Sequence, residues 1–133
     1  MRRYVAMALL GLAACEHELD DIPGATACRH RAVATVSASL TPVFTWSPAC
    51  TVGYLHVADS SGQPSWLLLD SGSAPISLNG IRSAITYGVP PLEAREPAGP
   101  AAPLVPGRRY LLLLRVGAIR GPGKFVDTTE FRP

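Results

Sequence analysis

The chain has 133 residues, 47% hydrophobic and 17% charged, with 13 prolines, 12 glycines and three cysteines, which is one domain's worth of sequence. Its formal charge of +2 resides in Arg2 and Arg3, so the remainder is balanced and lacks the basic footprint of a nucleic-acid binder. The apolar content disfavours disorder, and the proline content disfavours an all-helical fold.

Met1-Arg2-Arg3 forms a short cationic start, Tyr4 to Leu12 is apolar and uncharged, and Leu12-Ala13-Ala14-Cys15 closes the stretch with small residues before a cysteine. This order resembles a bacterial lipoprotein signal, and Leu12-Ala13-Ala14-Cys15 matches the lipobox at every position. The resemblance implies a signal peptide over 1–14 and a lipid-attached Cys15 as the first mature residue. Tyr4 to Ala14 is too short for a spanning helix, which needs about 20 residues. Two or three acyl chains give stable anchoring where one does not. Glu16 stands where the lipoprotein family's inner-membrane retention signal carries aspartate, so delivery to the outer membrane is expected.

Residues 15–27 read as an acidic tether: Glu16, Glu18, Asp20 and Asp21 are charged, and Pro23-Gly24 breaks any helix. The globular domain is expected over 28–133. There the periodicity is two and not 3.6, with strands predicted at Ala32 to Leu40, Val43 to Trp46, Gly53 to Ala58, Ser65 to Leu69, Arg82 to Tyr87, Arg109 to Val116 and Lys124 to Phe131. Seven short strands predict an all-β antiparallel sandwich. Phe44 and Trp46 share one strand face and are expected in the core. Asp59 to Pro64 has the chemistry of a hairpin loop. Tyr110 to Leu114 is so apolar that it predicts a central strand covered on both faces. Pro97, Pro100, Pro103 and Pro106 recur every third residue, which predicts a stiff polyproline crossover between the two sheets.

Leu104-Val105-Pro106-Gly107-Arg108-Arg109-Tyr110 reproduces an L-x-P-G-x-x-Y element, and Phe44-Thr45-Trp46-Ser47-Pro48 places a tryptophan just before a proline at a strand end. Both are similar to fibronectin type III domains, the first to the entry to strand F and the second to the strand B pattern, and together with Trp66 and Tyr87-Gly88-Val89-Pro90 they look like small fibronectin-like lipoproteins. The resemblance implies a fibronectin type III or immunoglobulin-like sandwich with Leu104, Pro106 and Tyr110 as a structural corner, the Tyr110 hydroxyl reaching back to upstream backbone. It hands over no catalytic residue.

The sharpest enzymatic motif is Leu67-Leu68-Leu69-Asp70-Ser71-Gly72, which resembles the catalytic turn of aspartic proteases. That chemistry needs two carboxylates sharing a proton, hence a homodimer pairing two Asp70 side chains. As an ordinary exit turn, Asp70 is instead expected to be exposed. His17, His30 and His56 lack HxH or HxxxH spacing, so no metal site is expected, and His56 reads as a solvent-facing strand residue. No Gly-x-Ser-x-Gly elbow or phosphate loop occurs, and no cofactor is expected. With Cys15 lipidated, Cys28 and Cys50 are left as an even pair in an oxidising compartment and are expected to form a disulfide.

The sequence therefore predicts a lipid-anchored envelope sandwich acting as a non-enzymatic binding or structural module, with the membrane and an envelope protein or polysaccharide as its partners and no nucleic acid. The competing reading is the Asp70 homodimeric hydrolase. A binding module predicts an apolar or aromatic patch on one sheet, a purely structural lipoprotein a uniformly polar outside.

Overall fold

The computed structural model describes residues 27–28, 31–71, 80–116 and 124–133. The signal segment, Cys15, His17, His30, Gly72 and most of the tether lie outside them. Among the described residues there are eight strands and no helix: β1 (Val33–Val36), β2 (Val43–Ser47), β3 (Tyr54–Asp59), β4 (Pro64–Asp70), β5 (Ile85–Thr86), β6 (Ala94–Arg95), β7 (Tyr110–Val116) and β8 (Lys124–Phe131). They form two antiparallel sheets, one in the order β1-β2-β5 and one in the order β6-β4-β3-β7-β8. No described helix is long and apolar enough to cross a membrane.

Period-two alternation drives this arrangement. Leu55 and Val57 on β3, Trp66 and Leu68 on β4, and Leu112 and Leu114 on β7 point inward and meet Ala34, Phe44, Trp46 and Ile85 from the smaller sheet in one core. Aromatic rings fill its centre. Trp66 and Tyr87 lie 5.2 Å apart and Phe44 and Phe131 lie 5.7 Å apart, both edge to face, while Tyr110 stacks on Phe131 at 5.7 Å.

Seven strands sit where the sequence placed them, with corrected lengths. β1 stops at Val36 instead of Leu40, because serine hydroxyls there replace ladder bonds: Val43 N–H donates to Ser37 Oγ at 2.8 Å and Thr41 N–H to Ser39 Oγ at 3.1 Å. The predicted Arg82 to Tyr87 strand shrinks to Ile85–Thr86, and an isolated bridge between Val52 and Ile81 lies just ahead of its predicted start. The eighth strand, Ala94–Arg95, was not expected, since two residues carry no periodicity.

The proline-rich crossover also differs from expectation. Gly99, at φ +86°, turns the chain back on Glu96, so the polyproline path does not run unbroken from Pro97. The segment joins β6 to β7 within one sheet and does not span the two. It is pinned along β4: Ala102 N–H donates to the Ser65 carbonyl at 2.9 Å, and the Tyr87 hydroxyl donates to the Ala102 carbonyl at 2.6 Å. Burial pushes that hydroxyl up to about 12.

Asp59 builds the β3–β4 hairpin as its sequence predicts. Its Oδ1 accepts the Ser61 hydroxyl and the Ser61 and Gln63 amides, and the Ser61 hydroxyl bond leads in holding its carboxyl below the usual range. Gly62 supplies the positive φ, +82°, that the turn requires.

Candidate docking face

The outward residues of the larger sheet line up in rows because its strands pair in register. Arg95, Leu69, Tyr54 and Arg115 are successive Cα partners across β6, β4, β3 and β7. The next row is Leu67, His56, Leu113 and Thr128, and the last is Ala58, Leu111 and Glu130. Four leucines, a tyrosine and a histidine thus share one outer face, all half-buried.

The other sheet shows how this molecule makes a surface for water. Thr35, Thr45 and Ser47 stand exposed on its outer face together with Val33, and the half-buried Val43 and Thr86 complete it. Threonine and serine combine strand propensity with hydration, whereas leucine on a solvated face forfeits the free energy of burial, about 25 cal/mol per Å² of apolar area. Contiguous apolar area on an otherwise polar protein marks an interaction surface.

Tyr54, His56 and Arg115 add chemistry to the face. The Arg115 guanidinium carbon lies 5.6 Å from the centre of the Tyr54 ring, within cation–π range, and the Tyr54 and His56 rings meet edge to face at 5.9 Å. His56 is therefore not the freely solvated histidine its sequence position suggested. Its Nε2 is sealed without a hydrogen-bond partner, and desolvation lowers its pKa from 6.5. A neutral imidazole in that position offers a flat, mostly apolar surface.

Asp70 departs most from expectation. It is buried, where an exit turn was expected to leave it exposed, because β4 alternation points Trp66, Leu68 and Asp70 inward. Its Oδ2 accepts the Gly80 N–H at 2.7 Å, and a Cβ on Gly80 would come within 3.2 Å of Oδ1, so this close approach needs glycine. The carboxylate is engaged in tying the end of β4 to the approach to β5. Ser71 beside it is exposed.

The remaining predicted residues take structural positions. Cys28 and Cys50 are bridged with Cα atoms 4.9 Å apart, and the Trp46 indole donates to the Cys50 carbonyl at 2.8 Å. Phe44 and Trp46 are buried in the core. Leu104 is buried, Pro106 is exposed, and the Tyr110 hydroxyl accepts the Val105 N–H at 3.0 Å. Among the described residues no group of three or more His, Cys, Asp or Glu side chains is placed to hold a metal. A shallow depression of about 230 Å³ is lined by Arg31, Val126, Asp127 and Thr128, below the 300 Å³ or so of ordinary ligand pockets.

Sequence reasoning read Tyr110 to Leu114 as covered on both faces. Leu112 and Leu114 enter the core, whereas Leu111 and Leu113 remain half-buried on the outer face. The strand has the composition of a doubly covered element and one described layer over it, a mismatch visible in its lack of polar alternation. Compared with protein-family models, curated proteins and solved structures, the chain matches none.

Proposed function

We propose that this protein is a lipid-anchored envelope module of fibronectin type III-like type that docks a partner through the outer face of its larger sheet. One observation carries the reading: the two outer sheet faces differ in composition, with Thr35, Thr45, Ser47 and Thr86 beside Val33 and Val43 on one and Leu67, Leu69, Leu111 and Leu113 on the other. A purely structural lipoprotein has no need of the second.

The fibronectin-like assignment draws support from topology. The first, second and fifth strands share one sheet, the next strands β4-β3-β7-β8 the other, and the Tyr110 hydroxyl bonds to backbone upstream of the β7 start. On this reading the framework has seven strands and β6 is an addition to it. Anchoring through Cys15, and with it outer-membrane localisation, follows from the lipobox resemblance alone. The burial of Asp70 against Gly80 favours the docking reading over a dyad of two Asp70 carboxylates.

The test is site-specific photo-crosslinking in intact envelopes, with benzoylphenylalanine in place of Leu113 or of Thr45. Adducts from position 113 with none from position 45 are expected. Equal or absent adducts contradict docking through this face, and a mature chain without an acylated Cys15 contradicts the anchor.

A further inference from the structure

The docking face is built to receive itself, an inference that rests on the docking reading above and names its partner. The first consideration is area. The strands β6, β4, β3, β7 and β8 hold 2, 7, 6, 7 and 8 residues, and at about 4.8 Å between strands and roughly 3.3 Å per residue they present about 475 Å² before side-chain relief. Two such faces cover about 950 Å² of flat area, close to the roughly 1,000 Å² lower bound of a specific interface.

Charge placement is the second. Arg95 and Arg115 flank the row at one end of the face, while Glu130 lies at the other end, paired with Arg109 at 3.5 Å on its exposed rim. Stacking two copies with strands parallel would set arginine row on arginine row. Stacking them with strands antiparallel separates those rows and brings each Arg115 toward the Glu130 of the other copy. The third is the middle row. A two-fold axis lying in the interface along Leu67, His56 and Leu113 sets each of these residues against its own counterpart, so apolar meets apolar without a change of side chain.

We infer that two copies of this chain stack face to face through the outer sides of their larger sheets, antiparallel, about a two-fold axis along Leu67, His56 and Leu113. The arrangement gives β7 the second covering layer that its composition calls for. It also leaves the threonine-bearing face of each copy toward water. Sheets stacked in this way cross at about 30°.

The experiment co-expresses two full-length copies carrying different tags and measures how much of the second is recovered with the first from solubilised envelopes. The wild-type chain is expected to recover its second copy. Leu113→Glu is expected to reduce recovery at least tenfold, and Thr45→Glu to leave it unchanged. Arg115→Glu or Glu130→Arg alone is expected to reduce recovery several-fold, and the two reversals together to restore it, a rescue that a folding defect would not show. No recovery with the wild type, or recovery insensitive to Leu113→Glu and to the single charge reversals, overturns the self-stacking. If position 113 then crosslinks to a different envelope component, the docking reading survives and the second copy does not; if it crosslinks to nothing, both fall.

Discussion

The Asp127 carboxylate on β8 accepts the backbone N–H of Ala34 on β1 at 2.7 Å, joining strands 93 residues apart that belong to different sheets. The same Oδ2 also accepts the Thr129 hydroxyl at 3.0 Å. This clasp joins the two sheets at the edge where β1 and β8 lie. A hydrogen bond to a charged group contributes about 1.5–3 kcal/mol, and this one is partly buried. Asp127→Ala is expected to lower stability by about 2 kcal/mol in urea denaturation and to speed hydrogen exchange at the Ala34 amide selectively.

Tyr110 holds the crossover to the sheet it enters. Its hydroxyl accepts the Val105 N–H while its ring stacks on Phe131, so Tyr110→Phe removes the first contact and keeps the second. A loss of about 1 kcal/mol is expected by chemical denaturation, with unchanged near-ultraviolet circular dichroism from the core. An unchanged midpoint would mean that the bond contributes nothing to folding.

The Cys28–Cys50 bridge spans 22 residues of sequence and ties the chain's lead-in to the loop before β3. Constraining a loop of that size in the unfolded chain stabilises by about 3 kcal/mol. Cys28→Ser together with Cys50→Ser is expected to lower the unfolding free energy from urea denaturation by that amount, and reductant to act on the wild type alone.

His56 makes stability depend on pH in a stated direction. Desolvation lowers its pKa in the folded chain below 6.5, so the unfolded chain takes up the proton first. The contribution is full above about pH 6.5, diminishes as pH falls from there toward the folded pKa, and is constant below it. His56→Leu is expected to flatten this part of the profile, read as the difference in denaturation midpoint between variant and wild type at pH 7.5 and pH 5.

Strand positions were legible because burial writes period two directly into the chain: Phe44 and Trp46, Leu55 and Val57, Leu112 and Leu114 alternate with residues of the other face. The hairpin was legible for a different reason, since Asp59 and Gly62 satisfy the turn through their own local chemistry. What stayed hidden depends on partners distant in sequence. Asp70 looks like any turn aspartate until the Gly80 amide is placed against it, and the crossover's three-residue proline spacing gives no sign that Gly99 will break it. The docking face was half legible: the apolar run of β7 announced two covered sides, but its alignment with Leu67, Leu69 and His56 exists only once the register is set.

The central claim, that the leucine face of the larger sheet is covered in the working protein, is tested most directly by hydroxyl-radical footprinting. The full chain is labelled in intact envelopes and again after solubilisation and dilution. Leu67, Leu113, Tyr54 and His56 are expected to be several-fold less oxidised in the envelope, while Val33, 67% exposed beside the threonine face, reacts equally in both. Equal oxidation of the leucine face in both states would contradict the account.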